Sequence, residues 1–238
     1  MEQKRLNKAI SETGFSSRRG ADKLIEAGRV TVNGNPIVLG EKVMASDSIE
    51  VDGKPIRKRV EPIYLLFNKP VGITCTTELD VEGNIISFIN YPKRIFPIGR
   101  LDKPSQGLIF LTNDGDIVNK ILRSKNHHEK EYIVKVDRPV DDQFIEEMSS
   151  GIPILDKVTK PCRVEKLSTY SFKIVLTEGM NRQIRRMCNY LDFGVTALKR
   201  ERIMNVELGN LKVGKYRHFT QEEKKELFEL LEYSTKTN

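Results

Sequence analysis

Three short stretches place polar groups where a buried core has no use for them. "PIGRLDKPSQGLIFLT" sets Asp102 in a loop between Gly99, which tolerates unusual backbone angles, and Pro104, which biases Lys103 away from helix. A carboxylate there either braces a turn through a side-chain hydrogen bond or is offered to a substrate. "HHEKEYIVKV" alternates as a strand does, so Lys130, Tyr132, Val134 and Val136 share a face, and Tyr132 reads as a core ring whose hydroxyl finds a partner. In "TEGMNRQIRRMCNYL", Ile184, Met187, Cys188 and Leu191 form the apolar stripe of a helix, with Arg182, Arg185, Arg186 and Asn189 on a nearly opposite face. Such a face is either merely solvated or suited to phosphate and to keeping a carboxylate ionised.

The elements that must position these groups follow from periodicity. Strands are expected at YLLFN, GLIFLT, KEYIVKV and FKIVLT, and helices over 115–124, 140–149, 181–191 and 221–233, the last with Thr220 and Glu223 as a capping box. Strand-like runs outnumber long helices, which gives an α+β class. His127 and His128 are adjacent and cannot share a face of a strand, so they read as loop or partner-facing residues and not as metal ligands. "KRERI" at 199–203 adds positive charge.

The chain has 238 residues, a net charge of +7, 38% hydrophobic and 31% charged residues, enough for a real core and a basic surface that suits an anionic partner. No apolar run is long enough to span a membrane, and the N-terminus lacks the apolar segment of a signal peptide, which predicts a cytoplasmic protein. Cys75, Cys162 and Cys188 have no close pairing and read as reduced, buried thiols. No CxxC or HxxxH spacing supports a metal site, and no cofactor is expected.

The first 60 residues hold twelve Lys and Arg against eight Asp and Glu. Leu6, Ala9 and Ile10 predict a short helix stopped at Gly14, and Ser16 is expected to cap a second that Gly28 ends. A hairpin follows at Asn33-Gly34, then a strand and turn at Asp52-Gly53. Ser17, Arg18 and Arg19 stand at a helix start, where free N–H groups already favour an anion. "KPIRKRVEP" reads as a charged linker, which divides the chain into 1–60 and 61–238.

Residues 4 to 50 together resemble the αL RNA-binding module of the ribosomal protein S-four type, which implies RNA binding by Arg5, Lys8, Arg18 and Arg19, with Ser17 beside them. "GRLDKPSQGLIFLTNDGD", "HEKEYIVKV" and "GMNRQIRRM", in that order behind this module, are similar to the RsuA/RluF family of ribosomal RNA pseudouridine synthases, and look closest to its RluF branch. The resemblance implies a catalytic domain built on a mainly antiparallel mixed sheet, and isomerisation of a uridine in large-subunit (23S) rRNA without cofactor. Small-subunit rRNA, tRNA or a non-catalytic assembly role are the alternatives. It also implies Asp102 as the essential carboxylate, attacking C1′ or removing the C2′ proton in a dry pocket. Arg185 is implied as its cationic partner, Tyr132 as the ring beneath the uracil, and Arg100 as the group that fills the space left by a flipped base. Lys103, Arg182 and Arg186 are expected on the RNA, and the protein is expected to be a monomer.

Overall fold

Asn33-Gly34 and Asp52-Gly53 have positive φ at both residues, 52° and 79° in the first pair and 51° and 71° in the second. That is the backbone of a two-residue hairpin turn whose twist matches its strands. In the computed structural model, which describes residues 3–56 and 60–234, these turns link Val30–Val32 to Asn35–Pro36 and Ile49–Val51 to Lys54–Pro55. The four strands form one antiparallel sheet. Helices Leu6–Glu12 and Arg18–Glu26 precede it, and Leu6, Ile10, Ala21, Ile25, Val30 and Val51 share a core. Gly14 (φ 79°) and Gly28 (φ 66°) follow the two helices as expected. The second helix is capped by Ser17 and not by Ser16: the Ser17 hydroxyl accepts from Gly20 N at 2.9 Å, and Ser16 donates to the Ser17 carbonyl. The cap belongs to the residue immediately before the first helical one, here Arg18.

Two compact units divide the chain, Met1–Pro62 with Pro92–Arg94 and Ile63–Tyr91 with Ile95–Asn238. Arg57–Arg59 of the expected linker, and the tail beyond Ser234, lie outside the described residues.

The larger unit is built on a sheet ordered Arg163–Ser168, Ser171–Leu176, Lys130–Val136, Val195–Ile203, Gln106–Thr112, Tyr64–Lys69, Tyr216–His218. All neighbours along it are antiparallel except Gln106–Thr112 and Val195–Ile203, so the mainly antiparallel mixed sheet is borne out. Every residue of Tyr64–Lys69 is buried because both faces of the sheet are covered. Leu65, Phe67, Ile109 and Leu111 face a core with Val134, Phe144, Ile174 and Met187. Tyr64, Leu66, Leu108 and Phe110 face another with Ile117, Ile121, Leu227 and Leu231.

The expected helices form within two residues of their expected bounds, as Asp116–Leu122, Asp142–Ser150, Gln183–Tyr190 and Gln221–Glu232, and the Thr220–Glu223 capping box is present. Val195–Ile203, a central strand, was not expected from periodicity. Its buried positions include Arg200, so its inward face does not read as apolar. The parallel step pairs Arg200 with Gly107, whose φ is 116° and on which a Cβ would collide with the Arg200 backbone N and O. Only glycine allows that approach. The three cysteines are free thiols, Cys75 and Cys188 buried and Cys162 partly so. Among the described residues no helix is long and apolar enough to cross a membrane.

Candidate active site

The loop carrying Asp102 is pinned on both sides. Strand Phe96–Ile98 ends at Gly99 (φ 76°), and a turn closes with Ser105 N donating to the Asp102 carbonyl at 2.9 Å. Leu101 is buried between the two charged residues, and its N–H donates to Cys75 Sγ at 3.4 Å. Gly72 N donates to the Lys103 carbonyl at 2.8 Å. Lys69 is fully buried beneath, with Nζ donating to the Pro70 and Ile73 carbonyls at 2.8 Å each and to that of Lys103 at 3.5 Å. Desolvation lowers the Lys69 pKa, and Asp102 is among the groups that oppose the shift. An ammonium among carbonyls from two loops fixes where the Asp102 backbone can sit.

Helix Gln183–Tyr190 brings Arg185 to this loop. Its Nη2 donates to the Pro104 carbonyl and to Ser105 Oγ at 3.2 Å each, and Nη1 donates to the Val195 carbonyl at 3.2 Å. Nε lies 4.0 Å from Asp102 Oδ2 and is buried without a hydrogen bond among the described residues. Desolvation and Arg182 lower the Arg185 pKa while Asp102 opposes them, and a guanidinium so placed stays charged. The side chain is 13% exposed and so largely leaves the solvated face that the helical spacing assigned it. Asp102, at 33%, is wetter than the dry pocket expected of it.

Tyr132, on strand Lys130–Val136, lines the same cleft. It is 8% exposed, on one face with Lys130, Val134 and Val136 as the alternation predicts. Its hydroxyl has no hydrogen-bond partner among the described residues, contrary to the expectation for a core tyrosine. The Arg200 guanidinium lies 5.9 Å from its ring centroid. The cleft has a volume of about 440 Å³ and gathers Arg100, Asp102, Tyr132, Arg182 and Arg185 with Ser105, Glu178, Leu198, Lys130 and Arg200. A carboxylate, an aromatic face and an excess of cations suit a planar base joined to a sugar and phosphates.

The other expected contact residues are distributed differently. Arg100 and Arg182 are exposed where they line the cleft, and Arg182 has φ 51° at the start of its helix. Lys103 is exposed in the Asp102 turn. Arg186 is outside the cleft lining and braces the preceding turn through the Asn181 carbonyl and Oδ1, at 3.0 and 3.2 Å. In the N-terminal unit, Arg5, Arg18 and Arg19 are exposed, Lys8 is 3.7 Å from Glu12, and the Ser17 hydroxyl is engaged in its cap. His128 Nε2 is 2.8 Å from Ser234 Oγ. Sequence reasoning missed Lys130, Arg200, Lys69 and Ser105. Lys130 had a signal, since it shares a strand face with Tyr132; Arg200 had none, since its strand reads as a charged run.

The profile of the RNA pseudouridylate synthase family matches residues 63–190, and that of the S4 domain matches residues 4–49. The chain is 53% identical to the dual-specificity RNA pseudouridine synthase RluF of Salmonella typhi, over 97% of this chain and 81% of the relative. It is 37% identical to the ribosomal large subunit pseudouridine synthase B of Bacillus subtilis, over 96% of this chain and 97% of that one. A crystal structure of a pseudouridylate synthase superposes with a TM-score of 0.70 at 32% identity, covering 94% of this chain and 99% of that structure. With an S4 domain ahead of this fold and cleft, the chain belongs to the RNA pseudouridylate synthase family, the isomerases that its three motifs resemble.

Proposed function

We propose that this cleft converts a specific uridine of large-subunit (23S) ribosomal RNA to pseudouridine, with Asp102, Tyr132 and Arg185 as its reactive set. The observation that carries the reading is the Asp102 carboxylate on a pinned loop, 4.0 Å from a guanidinium whose other nitrogens are held by Pro104, Ser105 and Val195. A paired uridine cannot enter such a cleft, so it is flipped or met in a loop, at an unstacking cost of about a few kcal/mol. The base covers Tyr132 and removes the water that Asp102 still meets. Asp102 then attacks C1′ or takes the C2′ proton as the N1–C1′ bond breaks. The freed uracil turns over Tyr132 and rejoins the sugar through C5 as Asp102 is released from C1′ or returns the C2′ proton; the base then loses the C5 proton and gains one at N1. The Tyr132 hydroxyl is suited to assist at C5. Arg100 at the mouth fills the gap in the RNA stack, and Lys103, Arg182 and Arg186 meet phosphate.

The N-terminal unit, with its boundary near residue 60, binds an adjoining RNA segment through Arg5, Lys8, Arg18 and Arg19, and Ser17 orders the helix start that presents the arginines. A linked second site raises affinity through effective concentration. The protein is read as a monomer, and an rRNA substrate supports a cytoplasmic location. The words "dual-specificity" in the name of the 53% identical relative favour a second RNA substrate, with tRNA the candidate.

Asp102→Asn is expected to fold, bind RNA and make no pseudouridine on an unmodified rRNA transcript. Retained turnover removes Asp102 from its role. Pseudouridine mapping of total RNA from cells lacking the protein names the nucleotide; an unchanged 23S map overturns the substrate reading.

A further inference from the structure

The cleft carries more positive charge than a neutral base requires. Arg100, Lys130, Arg182, Arg185 and Arg200 line it against only two carboxylates, those of Asp102 and Glu178. Glu178 is already engaged, its Oε1 accepting from Gln183 Nε2 at 2.9 Å and from Lys160 N at 3.0 Å. Arg100 and Arg182 are at the solvent edge, and Arg185 faces Asp102. Lys130 and Arg200 remain, 7% and 4% exposed, and neither forms an ion pair among the described residues. Arg200 Nε donates to the Leu108 carbonyl at 2.7 Å, but its Nη2 is buried with no hydrogen-bond partner among the described residues. Among the described residues Lys130 Nζ reaches only the His128 carbonyl, at 3.4 Å.

Two buried, like-charged groups without a counter-ion are destabilising in a free protein. Arg200 also depresses the Lys130 pKa, after the larger effect of burial. Bracing the Leu108 carbonyl explains one nitrogen of Arg200 and nothing of Lys130. An anion that exists only during turnover accounts for both, since cations fixed in advance where charge develops stabilise a transition state.

We propose that Lys130 and Arg200 stabilise the departing uracil as an anion, an inference that rests on the uridine-isomerase reading above. When N1–C1′ breaks, its electron pair moves onto N1 and spreads to O2 and O4. The sugar is meanwhile held as an Asp102 ester, or as a glycal with the C2′ proton on Asp102. The two cations hold the uracil anion while it turns. Its electrons then form the C5–C1′ bond, Asp102 is released or returns the C2′ proton, and the C5 proton leaves as N1 is protonated. Charge and atoms return to those of the starting nucleotide.

The test uses full-length Lys130→Met and Lys130→Arg in single turnover on one rRNA transcript, made with uridine or with 5-fluorouridine. Fluorine at C5 makes the uracil a better leaving group, so a missing cation should matter less. Glycosidic cleavage is read as loss of the parent nucleoside from nuclease digests. Lys130→Met is expected to cleave the uridine RNA about a hundredfold more slowly at unchanged RNA affinity. Its defect should shrink to roughly tenfold or less on the fluorinated RNA, and Lys130→Arg should recover most of the rate. A wild-type rate for Lys130→Met, an equal loss on both RNAs, or a melting temperature below wild type overturns the inference. If the wild-type protein makes no pseudouridine on the uridine transcript, the proposed function falls and this inference with it.

Discussion

Arg185 Nε stands 4.0 Å from Asp102 Oδ2, too far for a hydrogen bond, while the guanidinium's other two nitrogens are tied to Pro104, Ser105 and Val195. The cation is therefore held by the scaffold and not by the carboxylate it faces. Asp102 keeps an electrostatic partner without being locked to it, which leaves its oxygens available to a sugar. Such contacts are often long in free enzymes and tighten when substrate binds.

Replacing Arg185 separates charge from geometry. Arg185→Met is expected to lower the single-turnover rate by about 10²–10³-fold, because one buried cation beside the carboxylate proposed to react is lost. Arg185→Lys should recover little of this, since a single ammonium cannot reach the three oxygens the fork now holds. Full recovery by lysine would show that positive charge alone suffices.

Lys130 gives a pH signature of opposite sign in stability and turnover. Burial, with Arg200 adding to it, pushes its amine from 10.5 down to about 8. Between about pH 8 and 10.5 the unfolded chain then binds more protons than the folded one, so stability rises with pH across that window. Below about pH 8 the full penalty of the buried charge is present. Lys130→Met should gain on the order of 3 kcal/mol at pH 7 by urea denaturation, with the gain fading as pH climbs above 8. Wild-type turnover, by contrast, should fall as the amine loses its proton.

Gly107 is a prediction about the scaffold. Gly107→Ala would set a Cβ against the Arg200 backbone at a φ of 116°, in the one parallel pairing of the sheet. A loss of roughly 3 kcal/mol or more is expected, measured by the urea midpoint. A loss below about 1 kcal/mol would mean that the two strands can part without cost.

The N-terminal arginines test the second RNA contact. Arg18→Ala with Arg19→Ala should weaken RNA binding and make the salt dependence of log K shallower by roughly 1.4–1.8, while the rate at saturating RNA stays as in the wild type. Unchanged affinity would remove the first turn of the second helix from the RNA contact.

Much of the frame could be read directly. Asn33-Gly34 and Asp52-Gly53 dictate tight hairpins because both residues of each pair accept positive φ. The Lys130–Val136 alternation put Tyr132 on a buried face, and the Thr220–Glu223 box started the last helix. These signals are local: each depends on neighbours within a few positions. The cap of the second helix was misread by one residue because Ser16 and Ser17 are chemically alike and only the first helical turn distinguishes them.

Position in the sequence determined which residue types were available for chemistry; only the tertiary structure decided which of them meet. Asp102 alone is indistinguishable from a turn brace, and becomes a candidate catalyst when a helix more than 80 residues later brings Arg185 beside it. The same helix sends Arg186 back to its own Asn181 turn, although the two arginines are adjacent in sequence. Arg200 gave no local sign of burial, because an inward-facing arginine breaks the alternation that identifies a strand. Its place beside Tyr132 depends on strand pairing across the sheet, including a parallel step that Gly107 alone permits. Long-range pairing of this kind leaves no periodic trace in one sequence, because the partner's identity is set by packing and not by spacing.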